Sequence, residues 1–101
     1  MPKLLLAVDS ETTRRILELT FAGSTIEVAT AATGAEAIAR VPVEQPDVVF
    51  ADISLPQRSG YDVAAFIKGD PALSRIRVLL PKSQAGVGYV AGISRTLLIV
   101  R

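Results

Sequence analysis

Two short apolar runs, each ending on an aspartate, constrain the fold of this chain more than any other feature. Val48–Ala51 is followed by Asp52 and then by a loop that contains proline and glycine, and residues 4–8 end in the same way on Asp9. A buried strand that ends on a carboxylate places it at the carboxyl end of a sheet, where open α/β folds bind ligands. Two such aspartates predict a site for a divalent metal and phosphoryl chemistry.

The composition narrows the class of protein. Half of the 101 residues are hydrophobic and the mean hydropathy is +0.40, which is typical of a folded chain with one core. The apolar runs are about five to eight residues long, whereas a membrane span needs roughly 20. The first residues also lack the features of a signal peptide. We therefore expect a soluble, cytoplasmic protein that does not cross a membrane.

Several kinds of chemistry are excluded by residues that the chain lacks. It has no cysteine, and therefore no disulfide and no thiolate metal site. It has no histidine, the commonest general base and zinc ligand. The net charge is +1 and the basic residues are scattered along the sequence, so we expect no direct contact with nucleic acid.

Strand and helix patterns alternate along the first 80 residues. The predicted strands are residues 3–8, 25–31 (an edge strand), 47–52 and 76–80, and the predicted helices are residues 14–22, 35–41 and 61–68. Ser10 is among the N-cap candidates of the first helix. Thr33-Gly34 reads as a turn, and Pro42 and Pro46 as the bounds of a loop. This alternation indicates a parallel sheet with right-handed crossovers and helices on both faces.

The last 21 residues do not continue this pattern. Residues 81–101 contain three basic residues and no acid, whereas residues 1–80 contain 8 basic and 10 acidic residues and carry a charge of −2. We see no linker and predict one domain over residues 1–101, with regular βα units in residues 1–80 and an atypical C-terminal segment.

Six segments together resemble the receiver domain of response regulators, the phospho-acceptor module of two-component signalling. They are LLLAVD at 4–9, RRIL at 14–17, AATGAEA at 31–37, PDVVFAD at 46–52, LPQRSGY at 55–61 and DPALS at 70–74. The resemblance covers about residues 3–80. It implies a doubly wound, flavodoxin-like (CheY-like) parallel sheet in the strand order 2-1-3-4-5, with strands 1 and 3 adjacent at the switch point.

The same resemblance assigns roles to the site residues. Asp52 is implied to be the phospho-acceptor, and Asp9, Asp52 and the backbone carbonyl of Ser54 are implied to hold Mg²⁺. Ser10 is a further candidate ligand, although a serine here more commonly caps a helix. The implied partners are a sensor histidine kinase or phosphotransfer protein and a downstream effector protein. The implied activity is signalling, with at most self-phosphorylation and self-dephosphorylation.

The sequence departs from the family pattern around this site. Ser10 stands where the family usually has a second acid, so we expect weaker Mg²⁺ binding. The fourth strand runs through Leu80 into Pro81 instead of ending on threonine or serine, and the nearest hydroxyl belongs to Ser83. No Lys-Pro pair follows, and we expect Lys82 to be a solvated loop residue.

The short C-terminal segment allows two structures beside the fourth strand. Only 21 residues follow Leu80, too few for the remaining family elements at average sizes, so at least one helix should be missing. Residues 96–100 could form a fifth strand. Otherwise an open edge would favour a homodimer or strand exchange.

Two functions remain open from the sequence. The first is a receiver that is phosphorylated on Asp52. The alternative is a degenerate receiver that acts as a phosphorylation-independent interaction or dimerisation module, a reading motivated by Ser10, Pro81 and the missing Lys-Pro pair. An autonomous enzyme is disfavoured, because Asp52 is the only candidate nucleophile.

Overall fold

The computed structural model of the chain describes residues 2–81 and 97–100, and strands and helices alternate from residue 3 to residue 81. The strands are β1 (Lys3–Ala7), β2 (Glu27–Ala31), β3 (Val48–Ala51), β4 (Arg77–Pro81) and β5 (Leu97–Val100), and the helices are α1 (Glu11–Phe21), α2 (Gly34–Glu44) and α3 (Gly60–Gly69). Residues 82–96 lie between β4 and β5, so the predictions for Lys82 and Ser83 fall outside the described residues.

The sheet has the strand order β2-β1-β3-β4-β5, as the resemblance implied. β1 pairs in parallel with β2 and with β3, and β3 pairs in parallel with β4. β2 lies at an edge, which confirms its assignment as an edge strand. In the β1–β3 register Ala7 lies opposite Ala51. The two strands therefore end together, and the residues after them leave the sheet at the same edge.

The fifth strand has the predicted position but the opposite direction. β5 pairs with β4 in antiparallel orientation, with Ile99 opposite Leu79. The expectation of a sheet that is parallel throughout was therefore wrong for β5. A short apolar run fits a buried ladder in either direction, so the run at residues 96–100 did not encode this direction. Because β5 pairs along β4, the open β4 edge expected to favour a homodimer is absent.

Apolar side chains cover both faces of the sheet. Because side chains alternate along a strand, Leu5 packs toward α2 and α3, whereas Leu6 packs toward α1. Leu5 is fully buried on its face of the sheet. On the other face Leu17 of α1 packs in the same cluster as Leu6 and is 1% exposed. Helices thus lie on both faces, as the strand pattern predicted.

α1 and α3 end within one residue of their predicted ends. The Ser10 hydroxyl accepts a hydrogen bond from the Thr13 amide, which confirms Ser10 as the N-cap of α1. α1 begins three residues earlier than predicted, at Glu11, and is followed by Gly23 with a φ of 83°. The three helices have 10 or 11 residues each, and no helix within the described ranges is long and apolar enough to cross a membrane.

The second helix corrects one prediction. α2 runs through Pro42 to Glu44, whereas Pro42 was expected to begin a loop. Proline has no amide to donate to the carbonyl four residues earlier and it crowds that carbonyl, so α2 continues through residue 42 at the cost of one helical hydrogen bond. That turn is held by an ion pair between Arg40 and Glu44 at 2.9 Å and by the Gln45 amide, which donates to the Val41 carbonyl at 2.9 Å.

Candidate functional site

The two predicted aspartates leave neighbouring strands at the same edge of the sheet. The Asp52 amide donates to the carbonyl of Ala7 at 2.9 Å, so Asp52 extends the β3 ladder beside the end of β1. Asp9 follows two residues after Ala7. The Asp9 side chain is exposed and Asp52 is partly buried. The fold therefore brings both carboxylates to the edge where the sequence predicted a site.

The carboxylate of Asp52 is oriented by the residue two positions later. The Ser54 amide donates to Oδ1 of Asp52 at 3.2 Å, and the Ser54 hydroxyl lies 3.4 Å from the same oxygen. Such local bonds are typical of aspartate at the start of a turn. Within residues 2–81 the other carboxylate oxygen of Asp52 accepts no hydrogen bond, so it is available to a ligand or a reacting group.

The start of the β1–α1 connection is held by an arginine that the sequence analysis did not assign to the site. Nη1 of Arg14 donates to the backbone carbonyl of Val8 at 2.9 Å. Ser10, on the other side of Asp9, caps α1 through its hydroxyl. Asp9 is thus fixed by its two neighbours, while its own carboxylate has no partner among residues 2–81. The only sequence signal for Arg14 was its place in the RRIL segment.

A loop of residues 53–59, called the acceptor loop below, connects Asp52 to α3. Its root is closed by Gly60, whose amide donates to the Ile53 carbonyl at 3.0 Å. A Cβ atom on Gly60 would lie 2.5 Å from the carbonyl oxygen of Asp52. Gly60 is therefore required for space. Its φ is not in the left-handed region, so no special backbone conformation requires the glycine. In this loop Gln57 has the left-handed conformation, with a φ of 69°.

The tip of the acceptor loop lies against the start of α2. The Gly34 amide donates to the Pro56 carbonyl at 3.1 Å. A Cβ atom on Gly34 would lie 1.8 Å from the carbonyl oxygen of Arg58. The sequence analysis took Thr33-Gly34 as a simple turn, whereas Thr33 is the N-cap of α2 and Gly34 its first residue. The only sequence signal for this contact was the glycine itself, at a helix start.

The described basic residues do not neutralise the two aspartates. Lys3 pairs with Glu44 at 2.6 Å, and Lys68 donates to the carbonyls of Ser74 and Ile76. Over residues 2–81 and 97–100, no cluster of three or more acidic or histidine side chains could hold a metal. No third acid of these residues therefore joins Asp9 and Asp52 in such a cluster.

The donor set at this edge fits a hard divalent cation. It consists of two carboxylates, on Asp9 and Asp52, and the backbone carbonyl of Ser54, which accepts no hydrogen bond from residues 2–81. Mg²⁺ prefers oxygen donors and commonly uses only one or two carboxylates while it keeps several waters. Ser10 fits less well as a ligand, because its hydroxyl already accepts a hydrogen bond from the backbone of α1.

An ion-pair network lies at the other end of the strands, where β1 begins. Lys3 and Arg40 both contact Glu44, at 2.6 and 2.9 Å, and Arg40 also donates to the Thr30 carbonyl. Hydrogen bonds from Lys3 and Arg40 hold the pKa of Glu44 below its usual value. The hydrogen bond to Glu44 in turn raises the pKa of Lys3 and of Arg40. The network joins β1 to α2.

Comparison with known proteins decides the family. The family described as the response regulator receiver domain matches residues 4–91. This chain is a response-regulator receiver domain. Protein PilG of Pseudomonas aeruginosa is 32% identical over 85 residues, which cover 84% of this chain and 63% of PilG. The matched part of this chain thus spans less than two thirds of the length of PilG.

Solved structures of response regulators have the same fold. The phosphorylated cyanobacterial phytochrome response regulator RcpA is 31% identical, with a TM-score of 0.74 over 89% of this chain and 71% of RcpA. The Mn²⁺-bound form of response regulator Rcp1 is 27% identical, with a TM-score of 0.74 over 93% of this chain and 75% of Rcp1. Receiver domains act in two-component signalling with histidine kinases and effector domains, and are signalling domains.

Proposed function

We propose that this receiver domain accepts a phosphoryl group on Asp52 from the phosphohistidine of a sensor histidine kinase or of a phosphotransfer protein. One observation carries the proposal: Asp52 directly follows β3 beside the end of β1, with Oδ1 bonded to Ser54 and its other carboxylate oxygen unbonded within residues 2–81. That free oxygen attacks phosphorus, the phosphorus–nitrogen bond breaks, and the imidazole keeps the electron pair. The product is an acyl phosphate on Asp52.

Mg²⁺ is part of the proposal. Asp9, Asp52 and the carbonyl of Ser54 would hold the ion, and its charge would neutralise the oxygens of the transferring phosphoryl group. The Mn²⁺-bound form of Rcp1 shows that a response regulator of the same fold binds a divalent ion, which supports this part of the proposal. With two carboxylates in the site, we expect weaker binding than a site with a further acid would give.

The signal passes onward through protein contacts. We propose residues 1–101 as one receiver domain that acts in the cytoplasm and reports phosphorylation of Asp52 to a downstream effector protein. No observation favours the phosphorylation-independent alternative, which becomes an outcome of the test below. A homodimer stays a prediction, which sedimentation of the free and phosphorylated chain can examine.

Acetyl phosphate with Mg²⁺ tests the proposal without the cognate kinase. The wild-type chain should gain the mass of one phosphoryl group, and peptide mapping should place it on Asp52. Asp52→Asn should gain none, and Glu18→Gln, which changes an exposed acid of α1, should behave as the wild type. A folded wild-type sample that stays unmodified, or an Asp52→Asn chain that is still modified, would refute the assignment.

A further inference from the structure

The first backbone amides of two helices are both bonded to the acceptor loop. The first amides of a helix have no partner inside it and commonly bond to a capping side chain or to water. Here the first amide of α3, on Gly60, donates to Ile53, and the first amide of α2, on Gly34, donates to Pro56. The loop that begins at Asp52 is therefore bonded at its root by one helix and at its tip by another.

The contact at Gly34 leaves no space for a side chain. A Cβ atom there would lie 1.8 Å from the Arg58 carbonyl oxygen and 2.5 Å from the carbonyl carbon, far inside any contact distance. These are backbone atoms, so no side-chain rotation could relieve the overlap. Gly34 is buried, and its φ is not in the left-handed region. Close approach of the loop, rather than backbone freedom, therefore explains the glycine at this position.

The start of α2 is firmly held, so it can act as a fixed support for the loop. The Thr33 hydroxyl accepts from the Glu36 amide at 3.0 Å, and a carboxylate oxygen of Glu36 accepts from the Ala32 amide at 2.7 Å. The first bond caps the helix, and the second ties the Glu36 side chain to the residue before the cap. One turn later Ala37 is fully buried in the core. A displacement at Gly34 would therefore be taken up by the acceptor loop and not by α2.

We propose that Gly34 is a positioning residue for phosphoryl transfer to Asp52, acting from α2 through the acceptor loop. By fixing Pro56 and Arg58, it sets the path of the loop and with it the direction of the Ser54 amide and carbonyl. The Ser54 amide orients Asp52, and the carbonyl is a proposed Mg²⁺ ligand. This inference rests on the proposed function, because it assigns a role in that same reaction.

Gly34→Ala tests the proposal, with Gly69→Ala as the matched control. Gly69 ends α3, and a Cβ atom there would meet nothing within 4 Å. The measured quantity is the rate of phosphorylation by acetyl phosphate at saturating Mg²⁺, far below the unfolding temperature of each variant. We expect the rate to fall about tenfold or more in Gly34→Ala, since misplacement by 1 Å can cost about 10²-fold. The Gly69→Ala rate should stay within about twofold.

The outcomes separate this proposal from the function on which it rests. If the wild type is not phosphorylated, the proposed function fails. If the wild type and Gly34→Ala are phosphorylated at the same rate, only the positioning role fails. A role in stability alone would lower the unfolding temperature of Gly34→Ala and leave the rate unchanged, which would also overturn the proposal.

A measurement on the wild type covers the case in which Gly34→Ala does not fold. Amide hydrogen exchange should be much slower at Gly34, which is buried and bonded to Pro56, than at the exposed Ala35 next to it. In an ordinary helix start both amides would exchange rapidly. Equal, rapid exchange at the two amides would show that α2 does not hold the loop, and would overturn the proposal.

Discussion

The Ser10 hydroxyl accepts a hydrogen bond from the Thr13 amide at 3.2 Å, so the residue after Asp9 serves as a helix cap. A hydroxyl that caps a helix is a poor further ligand for a metal, and the site has two carboxylates where a second acid beside Asp9 would have given a third. The weaker Mg²⁺ binding that we expect is therefore explained by one side chain, Ser10. Aspartate is as good an N-cap as serine, which makes this point testable.

Ser10→Asp should strengthen Mg²⁺ binding while it preserves α1. The added carboxylate lies beside Asp9, and one more unit charge within a few ångströms should raise the affinity about five- to tenfold. Ala39→Asp is the control, because it adds the same charge at an exposed position in the middle of α2. A Mg²⁺ titration followed by amide NMR measures both. An equal gain in the two variants would mean that the effect is not local to the site.

Leu5→Ala should destabilise the domain by about 2–5 kcal/mol, because Leu5 is fully buried in the interior strand β1 and its truncation leaves a cavity. Leu19→Ala, at a leucine that is 63% exposed on α1, should change stability by no more than about 0.5 kcal/mol. Urea denaturation of both variants measures the difference. Similar losses in the two would contradict the assignment of β1 to the core.

Glu44→Gln should lower stability at neutral pH, and the deficit should disappear in acid. The folded-state pKa of Glu44 is held below its ordinary value of 4.5, mainly by the hydrogen bond from Lys3. A depressed pKa contributes stability above the unfolded-state value, and this contribution is lost as the pH falls through the folded-state pKa. Denaturation midpoints from pH 7 to pH 3 should therefore converge. Glu18→Gln, without an ion pair in residues 2–81, should show no such convergence.

Pro42→Ala should stabilise the domain by about 1 kcal/mol. The substitution restores one helical hydrogen bond in the last turn of α2, and the gain is reduced because proline also restricts the unfolded chain. Pro46→Ala, at a buried proline between α2 and β3, should not stabilise. Thermal unfolding compares the two. A loss of stability in Pro42→Ala would mean that α2 does not continue through residue 42.

The sequence predicted those parts of the site that depend on strand ends. The apolar runs that stop at Asp9 and Asp52 indicate where two strands end. Parallel pairing of these strands then brings both ends to the carboxyl end of the sheet. The N-cap role of Ser10 was predictable for a similar reason, since a cap is a local interaction. Interactions between a side chain and backbone only a few residues away can be predicted from the local sequence.

Contacts between distant segments were not predictable in the same way. Gly34 and Arg58 are 24 positions apart in sequence, and no periodicity marks the approach of their backbones. The direction of β5 was also missed, because an apolar run pairs in either sense. Pro42 misled for a further reason: it costs α2 one hydrogen bond, but burial of Val41 and the Arg40–Glu44 ion pair hold the last turn, and a sequence pattern does not show such compensation.

A Mg²⁺ titration with and without beryllofluoride, followed by amide NMR spectra, tests the central claim most directly. Beryllofluoride mimics a phosphoryl group on aspartate, so the account predicts saturable shifts at Asp9, Asp52 and Ser54 that are largest when both reagents are present. Shifts should extend along the acceptor loop to Gly34. A well-dispersed spectrum that ignores both additions would contradict the account, and would describe a receiver fold that does not accept a phosphoryl group.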